Sequence, residues 1–407
     1  MGRSASHFLG TACLILAVSA VAKDAGATDV PTIPVKPIGP QPSDDLTAKG
    51  SWLGKSGTSV TIGGYIKLDA LYSYFSDGAV DTGSARDFYV PHAIPTSDGS
   101  GASNSYFDGH AKETRLFIKT NTQIDGLEFG THLEFDFISG IVGGNELVTN
   151  AYNPALRRAF LTVGDWVIGQ DWTTFQNLVA LPETLDFVAW PTDGTVFGRH
   201  PLVRYKFGDV HISLEDPETS VQGGSALNDD DRVPDLVGRY SFGSGAKFSI
   251  AGVVRQLRAE GAGSAFGMGI SLAGSIPVGE RDDFKFTVTT GEGIGRYAGV
   301  GAIRDAQLDA AGGLDTVPMI NGFIAYRHWW NAKLRSTLAL SALLADYDTS
   351  LTGTDVQKST QTVAVNLLFS PVKALTTGLE LRYGERELEN GNDGSLSRLQ
   401  FSVKYSY

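Results

Sequence analysis

The residues with chemical potential in this chain are arginines and carboxylates at alternate positions, with no nucleophile and base set beside each other. Lys67 and Asp69, Glu134 and Asp136, and Arg204 and Lys206 each stand two apart, and Arg115, Arg199 and Arg255 are further isolated cations. Glu183 and Asp186 follow Pro182 three apart. A guanidinium fork holds a carboxylate through two hydrogen bonds, so this set suits binding and orienting anions more than breaking bonds. Gly-x-Ser-x-Gly, the phosphate-binding glycine loop and His-Glu-x-x-His are all missing. Gly291-Glu292-Gly293-Ile294-Gly295 lacks the strand-to-helix setting of a nucleotide site and reads as a strand end where backbones pack closely. The seven histidines are scattered, which gives no metal ligand set. No cofactor is called for.

The elements that must position these side chains are strands. From Ser59 onward the hydrophobic period is two. Val60, Ile62, Ile66, Leu68, Tyr72 and Tyr74 alternate with Thr61, Lys67, Asp69 and Ser73. Leu127, Phe129, Leu133 and Phe135 alternate with Glu128, His132, Glu134 and Asp136. Val203, Tyr205 and Phe207 oppose Arg204 and Lys206, and Phe248, Ile250 and Val254 oppose Lys247 and Arg255. One face of every such strand is apolar and the other is charged.

Connections decide which kind of sheet this is. Tight ones at 124–126, 163–165, 207–209, 242–245, 277–283, 330–332 and 370–373 alternate with longer ones at 76–108, 139–153, 171–200, 216–232, 258–264, 296–317, 346–358 and 385–396. Seven turns and eight loops give sixteen strands with both chain ends on one side. Short turns on one rim, longer loops on the other and an even strand number describe an all-β, closed antiparallel transmembrane barrel over 59–407. The final stretch, Leu399–Tyr407, alternates to its last residue and ends on an aromatic, as a closing strand with a place in the interfacial girdle does. It also looks like the C-terminal signal read by the outer-membrane assembly machinery. Sixteen strands leave a water-filled lumen. The third loop, 171–200, is long for a plain connection, and can either stay outside or fold into that lumen. On the inward course Glu183 and Asp186 would face Arg115, Arg204, Lys206 and Arg255 on the wall, with Arg199 ending the loop. Lys67, Asp69, Glu134 and Asp136 share the lumen face, and the alternative is that the arginines only pair with such wall acids.

The N-terminus sets the compartment. Arg3, the apolar run Phe8–Val21 and small residues at Ala20–Ala22 or Ala25–Ala27 make a cleavable signal peptide over 1–22, or to 27. Its Cys13 is the single cysteine of the chain, so the mature protein has no disulfide. Residues 23–58 form an extended arm, with Pro31, Pro34, Pro37 and Pro40 at the three-residue period of polyproline II. A net charge of -12 argues against nucleic acid as partner; lipid, lipopolysaccharide and small anionic solutes fit better.

Several runs resemble the DcaP-like porins of the Gram-negative outer membrane. They are Gly63-Gly64-Tyr65-Ile66-Lys67-Leu68-Asp69, Leu133–Phe137, Gly169-Gln170-Asp171-Trp172-Thr173-Thr174-Phe175, Pro182–Phe187, and Arg199 with Val203-Arg204-Tyr205. The resemblance implies a homotrimer, an inward third loop and a preference for small anions such as dicarboxylates. Two departures are a proline-rich arm in place of a coiled coil, and Val188-Ala189-Trp190-Pro191 in place of a glycine-rich stretch. The expected function is a passive diffusion porin, not an enzyme. The alternatives are a substrate-specific channel with a saturable site, or a secreted carbohydrate-binding or adhesive β-protein.

Overall fold

The computed structural model describes residues 46–49, 57–138, 150, 152–186, 192–223 and 227–407. The expected signal peptide, most of the proline-rich arm and Val188–Pro191 lie outside the described residues. Ser43–Tyr407 form one compact unit, whose regular structure is mostly strand. In chain order these are β1 (Leu46–Lys49), β2 (Ser59–Phe75), β3 (Asn104–His110), β4 (Arg115–Ile124), β5 (Leu127–Asp136), β6 (Ala155–Val163), β7 (Trp166–Trp172) and β8 (Arg199–Phe207). There follow β9 (Val210–Glu215), β10 (Val221–Gln222), β11 (Asp235–Phe242), β12 (Lys247–Ala259), β13 (Gly263–Val278) and β14 (Asp282–Glu292). The last are β15 (Ala306–Leu308), β16 (Leu314–Thr316), β17 (Pro318–Trp329), β18 (Leu334–Ala345), β19 (Gln357–Val372), β20 (Leu375–Leu388) and β21 (Asp393–Ser406).

Eighteen of these belong to one sheet, in which every pairing is antiparallel. β3 and β4 both pair with β2 and are two halves of a single crossing, and β1 is a short addition. That leaves sixteen crossings. The last, β21, pairs with the first, β2, from Tyr65↔Ser406 to Phe75↔Leu396. The barrel is closed, so no lipid-facing edge is left unpaired. β1 pairs with Ser59–Ile62 of β2, beyond the point where β21 ends.

All seven tight turns are present. Asp125 and Gly126 have φ of 53° and 83°, the positive pair that a two-residue turn matched to strand twist demands. Two of the connections expected to be long are not. Residues 260–262 and 389–392 are tight turns, because β12, β13, β20 and β21 are 13 to 16 residues long and use the intervening sequence as strand. The remaining outer loops are long, and β10, β15 and β16 form a small second sheet within two of them.

Ile66, Leu68, Tyr72, Ile250, Ile270, Ile324 and Leu340 are exposed, while Lys67, Asp69, Ser249, Thr289 and Arg382 are buried. A membrane barrel shows this pattern, apolar toward lipid and polar inward. Exposed Trp166, Tyr205, Phe207, Tyr240, Phe242, Tyr326, Trp330 and Tyr405 gather near the short-turn rim, with Trp166 and Tyr205 rings 4.7 Å apart, as an interfacial girdle requires. Inside the outer half lies an apolar cluster. Val237, Val253, Met319 and Leu343 from the wall pack with Phe175, Val196, Ile294, Tyr297 and Ile303 from two loops.

Candidate functional site

The inward face is organised around a register fault in β6. Glu134 pairs with Arg158 and Phe135 with Leu156, which makes Arg157 the extra residue of a bulge. A bulge puts two successive side chains on one side of the sheet, and both arginines reach inward carboxylates. Arg157 holds Glu134 at 2.7 Å and Asp136 at 2.5 Å. Arg158 donates from Nε to Asp171 at 2.6 Å. Arg115 approaches Glu134 and Asp136 more loosely, at 3.8 and 3.6 Å. Arg199 carries its guanidinium 5.0 Å from the Trp172 ring centroid and 5.8 Å from that of Phe197. Five arginines, counting Arg204, thus surround three carboxylates, Glu134, Asp136 and Asp171.

The described residues of the third loop, 173–186 and 192–198, lie against inward side chains of the opposite wall. Glu183 accepts from Nε of Arg335 on β18 at 2.7 Å and from Nη1 of Arg327 on β17 at 3.2 Å. Its carbonyl accepts from Asn366 on β19 at 2.9 Å. Leu185 N donates to Glu380 on β20 at 2.8 Å, and its carbonyl accepts from Lys67 on β2. Asp193 accepts from Ser341 at 2.6 Å and Thr362 at 2.7 Å, and its carbonyl accepts from Asn321 at 2.9 Å. A second loop braces the first, with Phe197 N donating to the Tyr297 carbonyl at 3.0 Å. The first loop joins in as well, since Tyr89 N donates to Asp186 at 2.7 Å.

Burial would push the Glu183 carboxyl up, but Arg335 and Arg327 hold it below the ordinary carboxylate range. A lowered native value keeps the loop attachment intact above the ordinary glutamate pKa and loses it only as pH falls through that lower value. The Glu183→Gln variant is therefore expected to differ from wild type by the same amount in single-channel conductance at about pH 7 and at about pH 5; a difference that vanishes within that window would mean Glu183 is already protonated there.

The residues singled out from the sequence do not form one site. Glu183 and Asp186 do not face Arg204, Arg115 or Arg255: Glu183 meets Arg335 and Arg327, and Asp186 lies 3.8 Å from Arg398. Arg204 is buried, giving hydrogen bonds to Thr174 at 2.7 Å, to Asp171 at 2.9 Å and to the Trp172 carbonyl. Arg255 is buried between Asp235 at 3.3 Å and Asp305 at 2.7 Å, where it ties outer loops to the wall. Lys67 and Asp69 pair with each other at 3.2 Å. Lys206 stays partly exposed beside the turn at 208–209. Arg157, Arg327, Arg335, Arg382 and Arg398 were not picked out. Alternation over β20 and β21, where Glu380 and Arg382, then Arg398 and Gln400, share one face, would have found two of them.

A closed sixteen-stranded barrel with an apolar exterior, aromatic rim and charged interior is an outer-membrane channel of the porin class. The chain belongs to the DcaP outer membrane protein family, whose model matches residues 51–407. Among solved structures it is similar to the outer membrane channel DcaP of Acinetobacter baumannii, at 23% identity and a TM-score of 0.75, covering 86% of this chain and 98% of that one. An anion-selective porin from Comamonas acidovorans matches at 12% identity and TM-score 0.53, covering 86% and 100%. The trimer form of OmpT, an outer membrane protein of Vibrio cholerae, matches at 12% and 0.52, again covering 86% and 100%. No curated protein sequence matches.

Proposed function

We propose that the protein is a passive outer-membrane channel that prefers small anions, dicarboxylates among them, and works as a homotrimer without catalysis. The observation that carries the preference is an asymmetry of exposure. Arg115, Arg158, Arg199, Lys206, Arg239, Lys285 and Arg327 keep partial exposure, against strand carboxylates such as Asp108, Asp283 and Glu292, whereas Asp69, Glu113, Glu134, Asp136, Asp171, Asp186 and Glu380 are buried, as are cations such as Arg157, Arg335 and Arg382. Glu183 is the partly exposed carboxylate of the loop. A solute in the lumen therefore meets cations first, and low-dielectric walls focus their field. The net charge of -12 does not oppose this, since charge on the loops is screened within about 10 Å.

The test is the reversal potential of the reconstituted channel under a potassium chloride gradient. Selectivity for chloride is expected, with a shift toward potassium in Arg199→Ser/Arg239→Ser/Lys285→Ser, which removes three cations that form no ion pair among the described residues. A potassium-selective wild type would refute the reading. The trimeric state is supported by the trimer form of the Vibrio cholerae neighbour, and mass measurement in mild detergent tests it.

A further inference from the structure

A second group of cations gathers around one ring below the arginine cluster. Tyr65 on β2 pairs with Arg115 on one side and Ser406 on the other. The Arg115 guanidinium lies 5.2 Å from the Tyr65 ring centroid and Lys404 Nζ 4.5 Å from it. All three side chains keep partial exposure. Nearby carboxylates are held mainly by other partners: Lys67 holds Glu113 at 2.5 Å and Asp69 at 3.2 Å, and Arg157 holds Glu134 and Asp136 at 2.7 and 2.5 Å, while Arg115 shares that last pair at 3.8 and 3.6 Å. Among the described residues Lys404 makes no ion pair and the Tyr65 hydroxyl no hydrogen bond.

We propose that Tyr65, Arg115 and Lys404 form a second subsite for a carboxylate of the passing solute, with Tyr65 as its specificity-determining residue. The inference rests on the anion-channel reading and adds a place and a residue to it. An aromatic face attracts a cation without neutralising it, so the ring positions Lys404, which makes no ion pair among the described residues, beside Arg115, whose own carboxylates stand at the longer distances of 3.6 and 3.8 Å. The phenol adds a donor, and a hydrogen bond to a carboxylate is of the strong, charge-assisted kind. From this ring a file of cations and rings leads up the wall. Arg115 stands 3.6 Å from Asp136, Asp136 binds Arg157, and Arg157 and Arg199 lie 5.7 and 5.0 Å from the Trp172 centroid. A solute with two carboxylates can hold one end of that file while releasing the other, which keeps each well shallow enough for transport.

The experiment is succinate flux through the full-length reconstituted channel, read as the half-saturation concentration, beside chloride-to-potassium selectivity on the same preparation. Tyr65→Phe keeps the ring and removes the hydroxyl. It is expected to raise half-saturation about 10-fold, the scale of one hydrogen bond to a charged group, with ion selectivity unchanged. Tyr65→Ala also releases the two cations, and is expected to lower chloride selectivity as well. An anion-selective wild type whose Tyr65→Phe variant has unshifted half-saturation overturns the subsite alone. A wild type that does not select anions overturns the channel reading and the subsite with it.

Discussion

Removal of Tyr405, Ser406 and Tyr407 is expected to abolish the folded barrel. These residues close the sheet: Ser406 pairs with Tyr65, Tyr405 with Ile66, and Tyr407 exchanges hydrogen bonds with Gly64 at 3.2 and 3.3 Å. Their loss strips partners from β2 and from the end of β20, where Leu375 pairs with Tyr405. Each lost ladder hydrogen bond costs about 0.5–1.5 kcal/mol, so the several bonds made by three residues take a large share of the margin of a typical domain, about 5–15 kcal/mol. The measurement is heat-modifiable, folded protein in the outer-membrane fraction, with Tyr405→Phe as a variant that keeps the strand. Undiminished folded protein from the truncation would contradict closure through this seam.

Arg255→Met is expected to cost about 3–5 kcal/mol, the usual result of breaking a buried ion pair on one side. Arg255 is fully enclosed between Asp235 and Asp305 and donates to the carbonyls of Glu218 at 2.5 Å and Gly293 at 3.3 Å. Methionine fills much of its volume but strands two carboxylates, one on the wall and one on a loop that braces the third loop. Two readouts should move together: the urea midpoint in detergent falls, and open-channel current becomes noisier as the loops loosen. The triple variant Arg255→Met/Asp235→Asn/Asp305→Asn removes the stranded charges and is expected to recover most of the stability. If Arg255→Met unfolds at the wild-type midpoint, the pair contributes nothing to the fold.

Most of the barrel is legible in the sequence, because alternation and turn chemistry are local. Asp125-Gly126 announces its turn, and Lys67 and Asp69 announce their face, from neighbours a few residues away. The site is not local. Glu183 and Arg335 are 152 residues apart, and Leu185 and Glu380 are 195 apart; no pattern in either segment says which wall strand the loop will reach. The bulge is hidden for a different reason. Arg157-Arg158 reads as one residue inward and one outward, and the extra residue that turns both inward exists only in the pairing of β5 with β6. Arg204 and Arg255 follow the same logic: alternation shows which way they point, while Asp171, Asp235 and Asp305, which occupy them, come from other strands and a loop.

The apolar cluster of Phe175, Ile294, Tyr297 and Leu343 inside the outer half means that strand number and calibre are separate quantities here. The wall has sixteen strands, but apolar side chains from loops and wall fill part of its interior, so less room is left for water than strand number alone implies. Size exclusion in such a pore is set by how loop side chains pack against wall side chains, at the scale of a methylene group. Calibre can thus drift between relatives by exchange of a few apolar residues, with hydrogen-bonded wall, export and membrane insertion all left as they were.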